Sequence, residues 1–145
     1  MQIGTKSYSD KTLLLVILIV AAILRLVHLG GESLWLDELH TMNEAGPGVT
    51  LPELFDFLKT IDQHPPLFFL LEHFSFSIFG YNEFGARIVP ALAGITSVWG
   101  MYLLGKEILS KRLGLIAATI ACVNIYNIFY SQEARGYIFL WLFSC

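Results

Sequence analysis

Charge is scarce in this sequence. Only 14% of its residues are Asp, Glu, Lys or Arg, whereas 55% are hydrophobic and the mean hydropathy is +0.63. Soluble domains carry about a quarter charged residues, so this is a membrane composition. Cysteine is nearly missing: Cys122 and Cys145 both lie in apolar runs, which excludes a disulfide framework and leaves each as a small buried hydrophobe. The net charge of −3 comes with no basic patch and no interleaved aromatics, which excludes nucleic acid as a partner. There is no internal repeat and no low-complexity stretch. A cleavable leader is also lacking. Lys6 and Lys11 precede an apolar run at 13–29, but the run is as long as a spanning helix and no small-x-small site follows it.

Apolar runs are what the sequence has in abundance. Residues 13–29, 88–105 and 113–130 each suit a membrane crossing. A further run begins at Tyr137 and stops at Cys145, short of the roughly 20 residues a span needs. The chain is therefore expected to be the N-terminal part of a longer protein, inactive by itself. Residues 67–79 are also apolar, but Glu72 and His73 at their centre are costly in hydrocarbon. Lys6 and Lys11 mark one cytoplasmic end, and Lys106, Lys111 and Arg112 mark another. Both ends are inside only if an even number of crossings separates them, so 67–79 lies in the outer interface. The expected fold is an all-α, multi-pass integral bundle of the cell membrane with a cytoplasmic N-terminus. Residues 30–86 form a long first extracytoplasmic loop.

That loop is too apolar for a tether. Thr50 and Glu53 have capping-box spacing and open a helix whose one face is Leu51, Leu54, Phe55 and Leu58. Leu67, Leu70, Leu71, Phe74 and Ile78 repeat the pattern, so two or three amphipathic helices are expected on the membrane surface. Gly46-Pro47-Gly48 and Gln63-His64-Pro65-Pro66 are the turns between them.

Polar residues with chemical potential gather on the outer side. Asp37-Glu38 follows Trp35 where bilayer meets water, a setting that suits a carboxyl to base work; taken alone, the pair reads more simply as a solvated helix start. His64 precedes two prolines that fix its backbone, and it could meet an anionic headgroup or simply turn the chain. Arg87 sits at the outer end of the second span, and Arg25 and His28 near the outer end of the first, where snorkelling to headgroups is the plain expectation. Glu133 and Arg135 share a short outer loop between the last two runs, as catalytic-rim residues or a local ion pair. Within the bilayer only Asn124 and Asn127 are expected, bonded to neighbouring helices. Collected on one face, these residues match what sugar transfer from a polyprenyl phosphate requires: cations for the departing phosphate and a carboxylate for the acceptor's proton.

The ordered motifs Leu34-Trp35-Leu36-Asp37-Glu38, His64-Pro65-Pro66-Leu67, Phe79-Gly80 through Phe84 and Arg87, Gly105-Lys106 to Arg112, and Tyr130-Ser131-Gln132-Glu133-Ala134-Arg135 resemble membrane glycosyltransferases of the GT-C fold. The likeness is to the branch of protein O-mannosyltransferase-like and aminoarabinose-transferase-like enzymes. It implies that Asp37 occupies the catalytic acidic position, as the base, and Glu38 the acceptor- or base-supporting position beside it. It also implies that His64, Arg87, Glu133 and Arg135 lie against the lipid phosphate or the acceptor. Gln63 stands where some relatives have a zinc-ligating Glu, so no metal site is carried over and a divalent cation stays open. The implied reaction is inverting transfer from a polyprenyl-phosphate sugar to a hydroxyl-bearing acceptor. Two rivals remain. A transporter or flippase would show broken helices and charges near the midplane, which the sequence does not display. A non-catalytic assembly subunit would not need the intact acidic pair.

Overall fold

The computed structural model describes residues 9–60 and 65–145. Every regular element among them is an α-helix: α1 (Asp10–Leu26), α2 (Leu36–Ala45), α3 (Leu51–Thr60), α4 (Pro66–Phe79), α5 (Glu83–Ile108), α6 (Lys111–Val123), α7 (Ile125–Ser131) and α8 (Tyr137–Phe143). The axis is α5, on which α1, α4, α6, α7 and α8 all pack. Asn82 starts it by accepting the Gly85 N–H at 2.8 Å. Its 26 residues run about 39 Å at a rise of about 1.5 Å each. Among the described residues it is the one unbroken helix long and apolar enough to cross a membrane.

Residue size sets how closely the helices meet. Where α5 crosses α6, a Cβ on Gly105 would stand 2.9 Å from the Gly114 Cα, so only glycines allow this contact. Ala21, Val98, Ala118, Ala121 and Cys122 fill the space between α1, α5 and α6 with small side chains. At the other end of α5 the core is built from large ones, with Leu54, Phe68, Phe69, Phe76 and Ile138 joining α3 and α4 to α8. The outward face of α1 exposes Leu15, Val16 and Ile23, a surface suited to lipid.

All three loop helices form. Glu53 accepts from the Thr50 N–H at 2.8 Å and from its hydroxyl at 2.7 Å, so the expected cap opens α3. On α4 the stripe Leu67, Leu71, Phe74 and Ile78 is exposed, while Phe68, Phe69, Glu72, Ser75 and Phe76 turn inward. Glu72 is thereby removed from the outer surface. It is fully buried with neither carboxyl oxygen hydrogen-bonded, and burial pushes its pKa well above the carboxylate range.

Two expectations need correction. Residues 113–130 are not one continuous helix: α6 and α7 meet at Asn124 with a 60° bend. Asn124 accepts the Asn127 N–H at 2.9 Å, an N-cap in the middle of an apolar run, and this starts a new helix. Arg25 does not snorkel. It is fully buried and donates to the carbonyls of Ala21, Cys122 and Ala121, each at 3.2 Å, and to Asn127 Oδ1 at 2.6 Å. Ala121 and Cys122 lie in the last turn of α6, whose carbonyls the break leaves without helical partners. The guanidinium supplies the missing donors. Asn127 passes the chain on, donating to Ser97 Oγ at 3.2 Å. The fold thus contains both a broken helix and buried charge, the two features the sequence did not display.

Candidate active site

The site lies where α1 ends, α2 begins and the α7–α8 loop returns. Glu38 is in the first turn of α2, where the helix dipole favours a carboxylate. Its Oε1 accepts from Arg87 Nε at 2.8 Å and from the Ala134 N–H at 2.8 Å. Oε2 accepts from Arg87 Nη2 at 2.7 Å and from the Trp35 N–H at 3.3 Å. A carboxylate has about four lone-pair positions, and here all are taken. Burial alone would raise the Glu38 pKa, but the bonds from Arg87 and from the Ala134 and Trp35 amides outweigh it and hold the group below the usual range. Glu38, expected in an acceptor- or base-supporting position, is fully buried as a clamp between the start of α2, α5 and the α7–α8 loop.

Arg87 is the other half of the clamp. Besides the two bonds to Glu38, Nη1 donates to the carbonyls of Leu29 at 3.2 Å and Glu32 at 2.9 Å, and Nη2 to that of Ser33 at 3.4 Å. A guanidinium has five N–H groups, so none is left for a phosphate. In this structure Arg87 holds the chain from Leu29 to Ser33 in place, and neither snorkels nor offers a donor to lipid.

Asp37 behaves differently. It is half-buried, and its carboxylate accepts no hydrogen bond among the described residues. Its backbone carbonyl accepts from Arg135 Nη1 at 3.4 Å, so residues 98 apart in the chain meet here. Arg135 also lies 6.0 Å from the centre of the Tyr137 ring. Glu133 is nine-tenths buried in the same loop; burial raises its pKa, and the nearby Glu38 and Asp37 charges add to the shift. The loop stays in place because Gln132 Nε2 donates to the last carbonyls of α1, those of Leu24, Arg25 and Val27, at 3.3–3.5 Å. Sequence reasoning passed over Gln132 as an anchor, although a long amide beside a helix end is a common means of satisfying orphan carbonyls.

Two separate cavities are lined in part by this loop. One, of about 510 Å³, is lined by Glu32, Ser33, Trp35, Gln132 and Glu133 among others. The second, of about 230 Å³, runs between α4 and α8 over Leu67, Phe68, Phe139, Leu140 and Phe143, with Arg135 in its wall. Glu133 and Arg135, two residues apart, therefore face different compartments. His64 lies outside the described residues. Among the described residues no three His, Cys, Asp or Glu side chains converge as metal ligands.

Comparison with known proteins sets this geometry in context. A family described as dolichyl-phosphate-mannose-protein mannosyltransferase matches residues 63–145. The stretch includes Arg87, Glu133 and Arg135; Glu38 joins it in space through the clamp, and Asp37 through the Arg135 bond to its carbonyl. The chain is 40% identical over 74 residues to dolichyl-phosphooligosaccharide-protein glycotransferase 1 of Pyrococcus furiosus, covering 47% of this chain and 8% of that protein. It is 38% identical over 63 residues to the protein of the same name from Pyrococcus horikoshii, covering 41% of this chain and 6% of the relative. No solved structure matches.

Proposed function

We propose, from the premise that this chain belongs to the dolichyl-phosphate-mannose-protein mannosyltransferase family, that it acts in inverting transfer of a sugar from a polyprenyl phosphate to a hydroxyl-bearing acceptor. Asp37 removes the acceptor's proton, and Arg135 steadies the departing phosphate. Transfer takes place on the outer face of the cell membrane, with α1, α5 and the bent pair α6–α7 as spans and the N-terminus inside. Lys106, Lys111 and Arg112, at the far end of α5 from Arg87, agree with that orientation. The leaving phosphate is already anionic, so electrostatic stabilisation counts for more than a general acid.

The observation that carries this reading is the meeting of Asp37 and Arg135 at one rim of the bundle. The Asp37 carboxylate is free to take a proton, while that of Glu38 is saturated. Arg135 adjoins an apolar slot that suits an isoprenoid tail, and Arg87 has no donor to spare. The phosphate role expected of Arg87 therefore passes to Arg135. The lack of a broken helix and of buried charge no longer counts against a transporter, since the fold has both, but family membership does.

Donor titration of the intact protein tests the phosphate assignment. A charge-assisted contact is worth about 1.5–3 kcal/mol, so Arg135→Ala should raise the donor concentration needed for half-maximal transfer roughly tenfold to a hundredfold. An unchanged donor dependence in folded Arg135→Ala protein would put the phosphate elsewhere.

A further inference from the structure

The short helix α7 is tied down at both ends. Its first turn carries Asn127, whose side chain is fully buried and bonded on two sides. Asn127 Oδ1 accepts from Arg25 Nη2 at 2.6 Å, and Nδ2 donates to Ser97 Oγ at 3.2 Å. One amide thus joins α7 to α1 and to α5. The bond from the guanidinium is charge-assisted and stronger than a neutral one. At the other end of α7, Ser131 donates its hydroxyl to the Asn127 carbonyl and sits against Gly94, where a Cβ would overlap it. The ties that follow are looser. Gln132 Nε2 reaches the α1 carbonyls at 3.3–3.5 Å, longer than the usual range of about 2.7–3.2 Å. Glu38 holds the middle of the next loop at the Ala134 N–H. Among the described residues the Arg135 side chain makes one hydrogen bond, itself long, at 3.4 Å to the Asp37 carbonyl. Its place is therefore set by the backbone that carries it more than by its own contacts.

We propose that Asn127 is a positioning residue: through α7 it sets where Arg135 stands at the wall of the apolar slot. Asn127 lines neither cavity, so it acts through the backbone it anchors. The proposal rests on the phosphate role given to Arg135 above, and adds the buried contact that fixes that arginine. The lever is short and stiff, since Asn127 to Gln132 spans about 7.5 Å of helix. Without the amide, α7 keeps the seat of Ser131 on Gly94 and the long Gln132 bonds. A displacement of about 1 Å at a reacting group can cost about a hundredfold, so a small drift of the loop is enough.

Two photoreactive probes of equal chain length, a prenyl phosphate and a prenyl alcohol, are titrated against the intact protein in detergent. Asn127→Ala should raise the half-saturating concentration of the phosphate by about fivefold or more, and that of the alcohol by less than about twofold. Asn127→Asp keeps an oxygen facing Arg25 and should leave both probes within about threefold of wild type. In an Arg135→Ala background, Asn127→Ala should add less than about twofold, because the two act as one unit. Ser97→Ala, a gentler variant should Asn127→Ala fail to fold, should weaken the phosphate probe by about twofold or more and spare the alcohol. Unchanged phosphate affinity in folded Asn127→Ala or Ser97→Ala would overturn the proposal. So would equal losses for both probes, or a loss that multiplies with that of Arg135→Ala. Each of these leaves the Arg135 assignment standing. No change in Arg135→Ala itself would overturn that assignment, and the positioning role with it.

Discussion

Arg25 and Arg87 are both buried arginines, and the molecule neutralises them in opposite ways. Arg87, near the N-terminal end of α5, meets the Glu38 carboxylate at 2.7 Å and fills its remaining donors with loop carbonyls. Arg25, among the small side chains between α1, α5 and α6, has no carboxylate among its hydrogen-bond partners. It is held by carbonyl dipoles that a helix break leaves exposed and by one amide. The first arrangement ties three pieces of backbone into one fixed rim. The second turns a structural defect, the 60° bend at Asn124, into a binding site for a side chain. In the same molecule one buried charge is stabilised by a counter-charge and another by oriented dipoles.

That contrast can be broken by mutation. Glu38→Ala leaves Arg87 buried without its partner, and removing one member of a buried pair costs about 3–5 kcal/mol. A thermal-unfolding series in detergent should show this as the largest loss, together with increased protease cleavage between α1 and α2. A loss no greater than that of an exposed substitution would show that the rim does not depend on the clamp. Arg25→Met should cost less, about 1–3 kcal/mol, because it removes a desolvated charge while leaving the Ala121 and Cys122 carbonyls unsatisfied. If Arg25→Met proves more damaging than Glu38→Ala, the dipole-held arginine is the stronger of the two.

Glu72 should give the smallest effect, and one of opposite sign. Its carboxyl pKa is raised by burial, so the stability of the neutral form is fully present below the unfolded value of about 4.3 and is lost as pH rises through the folded value. Glu72→Gln should remove that dependence and leave the protein slightly more stable than wild type at alkaline pH. Melting temperatures measured from pH 5 to pH 9 check this, and parallel curves for the two proteins would contradict it.

The sequence announces the local features and hides the distant ones. The Thr50–Glu53 cap, the helices α3 and α4 and the gathering of Asp37, Glu133 and Arg135 at one end follow from spacings of a few residues and from the distribution of lysine and arginine. The Glu38–Arg87 clamp joins residues 49 apart, and the Arg25–Asn127 bond residues 102 apart, so no local pattern reports either. The break at Asn124 did leave a signal. Asn followed three residues later by a residue whose N–H needs a partner is N-cap spacing, but hydropathy averaged over a span-length window conceals it. An arginine inside an apolar run was a second signal, since a charge at such a depth marks a partnered interior site by default. Asp37 and Glu38 look equivalent in sequence; only the four bonds to Glu38 tell them apart.

The division of labour between those two acids is the centre of the account, and Asp37→Asn tests it most directly. The substitution keeps the shape of a side chain that accepts no hydrogen bond among the described residues, so the melting temperature should stay at the wild-type value. Sugar transfer from a polyprenyl-phosphate donor by the intact protein should fall by about 10²–10⁴-fold, the range for loss of a general base. Wild-type turnover in a folded Asp37→Asn protein would contradict the assignment of Asp37 as the proton acceptor.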